Sequence, residues 1–304
     1  MENVKHPLSK YLREDRMPHM WCPGCGIGTA MNAFMHALEK SGIEKNNLAV
    51  VSGIGCTGRV AGYVDLDSFH TTHGRAIPFA EGLKATRPET KVIVVSGDGD
   101  LISIGGNHFI HAGRKNMDLT VICVNNLNYA MTGGQVSATT PVRSITATAP
   151  HGSFTTPFNL PFLAEASGAV YVARWTVYHV RELQKAMLEA INKKGFSFVE
   201  VISPCPTLYE RRNKMGDGLA RMKFYKDNSI LKNGADTKET SIEINKPFVV
   251  GKFIDIEGKP TYLESMNKYY DEAFQCQLGY KTYKGTRYSC NISDGGVSEG
   301  CMDD

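Results

Sequence analysis

Two groups of residues have the types and spacing to do chemistry. The first lies in VIVVSGDGDLISIGGNHFIHAGRKNMDLTVICVNNLNY, residues 92–129. This stretch reads as a strand, a Gly97-Asp98-Gly99 turn, a helix, a second strand and then Asn125-Asn126. A right-handed crossover makes the two strands parallel, so both carboxyl ends reach the edge where open α/β sheets bind ligands. There Asp98 offers a carboxylate and Asn126 an amide oxygen. The glycines let a diphosphate approach the backbone, and the helix aims its positive end at the same place. Magnesium takes about six oxygens, usually one or two carboxylates plus substrate phosphates. One Asp, one Asn, a backbone carbonyl, two phosphate oxygens and a water would complete that shell. Taken singly, Gly-Asp-Gly is a turn and Asn-Asn a loop. Their occurrence in one crossover is what points to a metal–diphosphate site.

The second group is the cysteines. There are eight: Cys22, Cys25, Cys56, Cys123, Cys205, Cys276, Cys290 and Cys301. Cys22 and Cys25 form a Cys-x-x-Cys pair in WCPGCG, just before the first helical pattern. Cys56 ends one apolar run and Cys205, in SPCPT, follows another. Both sit at strand ends and can converge with the pair on one sheet edge. Four thiolates suit a [4Fe–4S] cluster or a structural zinc, and a lone Cys-x-x-Cys also suits a redox dithiol. Spacing alone leaves these open. Cys123, inside TVICVNN, reads as a small core residue. Cys276, Cys290 and Cys301 have irregular spacing and read as free thiols.

Gly-Asp-Gly followed by Asn-Asn resembles the signature of thiamine diphosphate enzymes. Together with WCPGCG, GIGCTGR and SPCPT, it resembles the beta subunits of 2-oxoacid:ferredoxin oxidoreductases, over roughly residues 15–215. The resemblance implies that Asp98, the Asn126 side chain and the Asn128 backbone oxygen hold magnesium. It implies that Cys22, Cys25, Cys56 and Cys205 bind one [4Fe–4S] cluster. Thiamine diphosphate would contact Ile54, Gly55, Cys56, His73, Gly74, Gly97, Asp98, Gly99, Asp100, Asn126, Asn128, Tyr129, Met131 and Thr132. Arg59 would recognise a substrate carboxylate, for which a guanidinium fork is well suited. His73, in His73-Gly74-Arg75, would lie near the thiamine ring and join Arg59 in catalysis. Otherwise Arg59 is a surface arginine, His73 a satisfied backbone partner and Met131 a core residue. His70 reads as structural.

The implied activity is CoA-dependent, reversible oxidative decarboxylation of a 2-oxoacid, with electrons leaving through the cluster to ferredoxin. GIGCTGR and HGRAIPFAEGLKATRP look most like the 2-oxoglutarate enzymes, which make succinyl-CoA and carbon dioxide; pyruvate and branched-chain 2-oxoacid enzymes are the near alternatives. A cluster-free thiamine decarboxylase subunit and a non-catalytic iron–sulfur or zinc electron-transfer module are alternatives of other classes. No second α/β domain is visible for the thiamine pyrimidine. An alpha subunit is therefore expected to supply it, in a dimer of alpha–beta heterodimers.

The elements that must position these residues follow from apolar runs. Residues 48–54, 92–96, 119–125, 170–174 and 198–202 are Val/Ile-rich without polar alternation, as in parallel strands buried on both faces. Helical patterns separate them. In residues 177–194, Val180, Leu183, Met187 and Ile191 recur at steps of three or four, and Gly195 is a plausible stop. The alternation predicts an α/β, doubly wound, mostly parallel sheet. The expected division is a cofactor-binding domain over 1–203 and an irregular, partner-contacting extension over 204–304. Lys and Arg number 34 against 31 Asp and Glu, a net charge of +3, too weak a bias for nucleic acid. No apolar run approaches the roughly 20 residues of a bilayer span, and residues 1–16 have no signal-peptide core. A cytoplasmic protein is expected.

Overall fold

The computed structural model describes residues 7–274, so the expectations for Cys276, Cys290 and Cys301 lie outside the described residues. Helices α1 (Ile27–Ser41), α2 (Val60–Tyr63), α3 (Ala76–Thr86), α4 (Gly106–Lys115), α5 (Leu160–Ala166), α6 (Val180–Asn192) and α7 (Gly218–Asn228) alternate with eight strands. The strands are β1 (Leu48–Ser52), β2 (Asp67–His70), β3 (Lys91–Gly97), β4 (Thr120–Asn125), β5 (Tyr171–Thr176), β6 (Ser197–Ile202), β7 (Ser229–Leu231) and β8 (Phe248–Asp255). They form one sheet in the order β2-β1-β3-β4-β6-β5-β8-β7. All pairs are parallel except β5–β8. Residues 7–261 belong to one compact unit; helix α8 (Tyr262–Phe274) begins a second.

The five expected strands form within a residue or two of their predicted ends. Their sequences explain why. Along β3, Ile93 and Val95 enter one apolar cluster with α1 and α6, whereas Val92 and Val94 enter another with α3, α4 and α5. Both faces are covered, so the strand carries no polar alternation. Helix α6 forms with Leu183, Met187 and Ile191 buried. It ends at Asn192, before Gly195. Gly195 (φ +105°) instead marks a close approach, because a Cβ there would meet Asn116 Oδ1 at 2.5 Å.

The segment after Pro204 is more regular than its sequence suggests. It adds α7, β7 and β8, and β8 pairs antiparallel with β5 through a register shift at Val172/Ala173. The signal is weak because β7 has only three residues and β8 places Gly251 and Lys252 in mid-strand. Strand β2, with no buried residue, is likewise an edge strand without an apolar run.

Chain order reverses at β1: β2 lies on one side of it and β3 on the other. Crevices at such switch points, beyond the strands' carboxyl ends, are where open α/β sheets take ligands. Further along the sheet, a buried ion pair joins β5 to β6. Arg174 Nε donates to Glu200 Oε2 at 2.6 Å, with both side chains essentially inaccessible. Arg174 Nη1 also donates to the Thr240 carbonyl, and Asn125 Nδ2 donates to Glu200 Oε1 at 2.7 Å. Thus β5, β6, the end of β4 and the 204–261 segment share one charge-assisted network. Removing one member of a buried pair strands the other charge. Arg174→Met is expected to destabilise the chain by about 3–5 kcal/mol, read as a lowered midpoint in guanidinium unfolding.

Candidate functional site

At the carboxyl edge, the ends of β1, β3 and β4 surround a cleft. It is lined by Ile54, Gly55, Cys56, Thr57, His73, Gly97, Asp98, Gly99, Asp100, Asn126, Asn128, Tyr129, Ala130, Met131 and Thr132. The structure thus brings together every residue predicted to contact thiamine diphosphate except Gly74. Gly74 lies beneath the cleft, where its N–H donates to Asp100 Oδ1 at 2.7 Å.

Two carboxylates two residues apart take different positions here. Asp100 is 3% exposed and turned into the protein. Its Oδ1 accepts from Ile54 N at 3.0 Å, from Gly74 N and from His73 Nδ1, and its Oδ2 accepts from Ser96 Oγ at 2.5 Å. It lines the cleft, yet protein donors occupy its carboxylate, so it braces the site. A Cβ on Gly53 would lie 1.7 Å from Asp100 Oδ2, which is why the chain needs glycine there.

Asp98, 1% exposed, is only half committed. Its Oδ2 accepts from Ser137 Oγ and Thr139 Oγ1, each at 2.6 Å. Its Oδ1 faces Asn126. With the Asn126 amide turned, Nδ2 donates to Asp98 Oδ1 at 3.2 Å and to the Asn128 carbonyl at 2.8 Å; in the other orientation the amide oxygen faces those same two oxygens. Three oxygens from the expected ligands thereby converge. In an octahedron with metal–oxygen bonds of 2.0–2.1 Å, adjacent oxygens stand about 2.9 Å apart. The observed spacings bracket that edge, so the donor set fits a magnesium ion. Burial pushes the Asp98 carboxyl above its ordinary value, with the Ser137 and Thr139 hydroxyls opposing the shift. A cation beside it would offset that cost.

The helix dipole enters differently from expectation. A π-helical turn, Gly99–Ile104, intervenes between Asp98 and α4. Gly99 makes room for the Tyr129 ring, which a Cβ would meet at 2.6 Å. Tyr129 in turn stands edge-on to His73, with ring centroids 5.9 Å apart. Since Nδ1 of His73 is committed to Asp100, its other ring nitrogen is the one left to meet a ligand. Thr132 Oγ1 donates to Gln135 Oε1 at 2.6 Å, and Met131 is 40% exposed on the cleft wall.

Cys22, Cys25, Cys56 and Cys205 line a second cavity of about 390 Å³, together with Trp21, Arg59 and Leu208. The four come from three local structures. Cys22 and Cys25 flank a turn at Gly24 (φ +77°) that packs against Gly218, where a Cβ would meet Gly24 Cα at 2.7 Å. Trp21 Nε1 donates to the Cys56 carbonyl at 2.7 Å, docking this turn on the end of β1. Cys205 follows β6 and its N–H donates to Glu210 Oε2 at 2.7 Å. Burial pushes the Cys25 thiol up to about 12 and raises Cys56 and Cys205. Neighbouring cysteine sulfurs add to the rise at Cys25 and Cys56. Such a group of thiols becomes thiolates only against added positive charge, as metal provides. Among the described residues, no group of three or more His, Cys, Asp and Glu side chains is arranged to hold a single ion. Four thiols lining one cavity are the ligand types of an iron–sulfur cluster or a zinc ion. Cys123 is fully buried in β4. Arg59 is exposed at the second cavity and lowers the Cys56 pKa by its charge, against the larger effect of burial.

Sequence reasoning missed Ser137 and Thr139. The hydroxyl-rich run Ser137-Ala138-Thr139-Thr140 is their only local signal. Thr57 and Ala130, which line the cleft, carry none.

A family model described as "Thiamine pyrophosphate enzyme, C-terminal TPP binding domain" matches residues 53–201. The "2-oxoglutarate synthase subunit KorB" of Methanocaldococcus jannaschii is 51% identical over 86% of this chain and 97% of its own. The protein of the same name from Archaeoglobus fulgidus is 48% identical over 72% of this chain and 81% of its own. A solved structure, "2-oxoglutarate:ferredoxin oxidoreductase from Magnetococcus marinus with 2-oxoglutarate, coenzyme A and succinyl-CoA bound", superimposes with a TM-score of 0.78 at 30% identity, covering 92% of this chain and 94% of that one.

The bracing role of Asp100 has a measurable consequence. Asp100→Ala leaves the buried Gly74 N–H and the part-buried Ile54 N–H without their acceptor, at up to about 1–3 kcal/mol each. A loss of about 2–5 kcal/mol is expected in denaturant unfolding, with Asp100→Asn, which keeps one acceptor, losing less.

Proposed function

The chain belongs to the beta subunits of 2-oxoglutarate:ferredoxin oxidoreductases, and we propose that it holds the diphosphate end of thiamine diphosphate, a magnesium ion and a [4Fe–4S] cluster for the CoA-dependent, reversible conversion of 2-oxoglutarate to succinyl-CoA and carbon dioxide. One observation carries this assignment. The cleft and the cysteine-lined cavity share a wall made of Cys56, Asn126, Ala130 and Met131. An organic cofactor and a redox centre held in them would be neighbours, close enough for electrons to pass between them.

When bound, thiamine diphosphate supplies the nucleophile for the ketone and the cluster a one-electron path outward. The chain's residues bind and orient. Asp98, Asn126 and the Asn128 carbonyl hold magnesium against the diphosphate. His73, fixed by Asp100, turns one ring nitrogen toward the thiamine ring. Arg59, between the cavities' shared residue Cys56 and solvent, attracts a carboxylate of the 2-oxoacid. An alpha subunit supplies the pyrimidine-binding domain, alpha–beta pairs form a dimer, and ferredoxin accepts the electrons. Residues 204–304 contact the partner. Among the described residues no helix is long and apolar enough to cross a membrane.

Anaerobic co-purification with the alpha subunit tests the cluster assignment. Cys205→Ser is expected to lose iron and 2-oxoglutarate-dependent viologen reduction while retaining thiamine diphosphate. Cys123→Ser keeps all three, and full iron in Cys205→Ser would reassign the fourth ligand.

Arg59→Ala tests substrate recognition. An unpaired buried carboxylate typically costs about 2–5 kcal/mol, so kcat/KM for 2-oxoglutarate should fall roughly thirtyfold or more. If Arg59 binds the distal carboxylate, 2-oxobutyrate is spared. If it binds the carboxylate beside the ketone, both substrates fall together. Unchanged values for both would remove Arg59 from the site.

A further inference from the structure

The half-committed carboxylate of Asp98 has an asymmetry that the binding role alone does not require. Ser137 and Thr139 lie on a loop after β4, well beyond the Asp98 turn in sequence, and are 5% and 3% exposed. Both hydroxyls donate to the same oxygen, Oδ2, at 2.6 Å, whereas Oδ1 meets the Asn126 backbone N–H, at 3.5 Å. The loop is stitched into place. Thr140 Oγ1 donates to the Leu127 carbonyl at 2.7 Å, Ser137 N donates to Thr140 Oγ1 at 2.8 Å, and Ala138 N donates to Ser103 Oγ at 2.9 Å. Thr139 Oγ1 also lies 3.0 Å from Asn125 Oδ1, next to the ligand Asn126.

We propose that Ser137 and Thr139 are positioning residues that set the cation selectivity of the Asp98 site. Two donors on Oδ2 hold the carboxylate plane fixed and leave only Oδ1 to face Asn126 and the Asn128 carbonyl. The carboxylate therefore ligates through one oxygen. A single carboxylate oxygen is what a small six-coordinate ion such as magnesium takes. Calcium, with six to eight ligands at longer distances, gains from a carboxylate that rotates to present both oxygens. Removing the two hydroxyls leaves the three ligand oxygens chemically unchanged. It frees Oδ2 to turn toward the cation and lets the carboxylate sample rotamers.

This inference rests on the magnesium–diphosphate assignment above. The test uses the full chain assembled with its alpha subunit, stripped of divalent ions with a chelator and supplied with thiamine diphosphate. Magnesium chloride or calcium chloride is then titrated in, and cofactor binding is followed by protein fluorescence or circular dichroism. The variants are Ser137→Ala, Thr139→Val and the two combined. Loss of a group that orients a metal ligand typically costs 10–100-fold in affinity, so the combined variant should require about 10–100-fold more magnesium. Its calcium requirement should change much less, so that the magnesium-to-calcium preference collapses. Equal weakening toward both ions would show a merely structural role and overturn the proposal, as would an unchanged magnesium requirement. If Asp98→Ala binds thiamine diphosphate with the wild-type dependence on magnesium, the site assignment itself fails, and the selectivity proposal with it. That outcome is distinct, because it appears in a variant with both hydroxyls intact.

Discussion

Burying a carboxylate beneath a sheet edge is costly unless every oxygen is satisfied, and the Asp100 carboxylate meets that demand with four donors from three separate places. Ile54 lies beyond β1, His73 and Gly74 lie beyond β2, and Ser96 lies within β3. No short stretch of chain could supply these donors. Only when β1, β2 and β3 pair in register do the loops after them reach one point. The carboxylate therefore acts as a test of correct assembly. It draws together the loop that ends in Cys56, the histidine beside the cleft and the turn that carries Asp98. A buried and fully satisfied group of this kind rigidifies its surroundings, because each partner loses more by leaving than a solvent-exposed bond would cost.

Asp98 and Asp100 show how one turn yields two functions from one residue type. Both are almost wholly buried and only two positions apart. The π-helical turn beginning at Gly99 separates their directions, so that one side chain points into protein donors and the other to the cleft. π-helical turns are rare, and they occur frequently at functional sites. Here the turn has a definite geometric task. It also sets back the start of α4, so the positive end of the regular helix lies several residues beyond the diphosphate-facing edge.

The second connection runs across the sheet. Arg174 and Glu200 neutralise each other in the interior, Glu200 holds the side chain of Asn125, and Asn125 stands beside Thr139, which holds Asp98. Strands β5 and β6 line neither cavity, yet they fix the loop from which Asn126 and Asn128 project. Trp21 performs the matching task for the cysteines by bonding to the Cys56 carbonyl. The two cavities share Cys56 and Asn126 because these residues follow the ends of β1 and β4, the two parallel strands on either side of β3.

The parallel core was legible from residue order alone because strands buried on both faces must be apolar throughout, and Val/Ile runs such as 92–96 admit few other folds. The same holds for Asp98, Asn126 and the four cysteines, whose types restrict their chemistry and whose positions at run ends restrict their location. β2, β7 and β8 were not legible, since edge strands bury too little to impose a pattern. The motif marked Asp98 as the candidate ligand, but the bracing role of Asp100 was not legible. Both follow glycine in the same short motif, and their roles diverge only through partners at Ile54, Gly74, Ser137 and Thr139. Those partners are chosen by pairing register and loop closure. Hydrogen-bond direction is a property of three-dimensional placement, so which oxygen of Asp98 the hydroxyls hold and which faces Asn126 was decided by the tertiary structure.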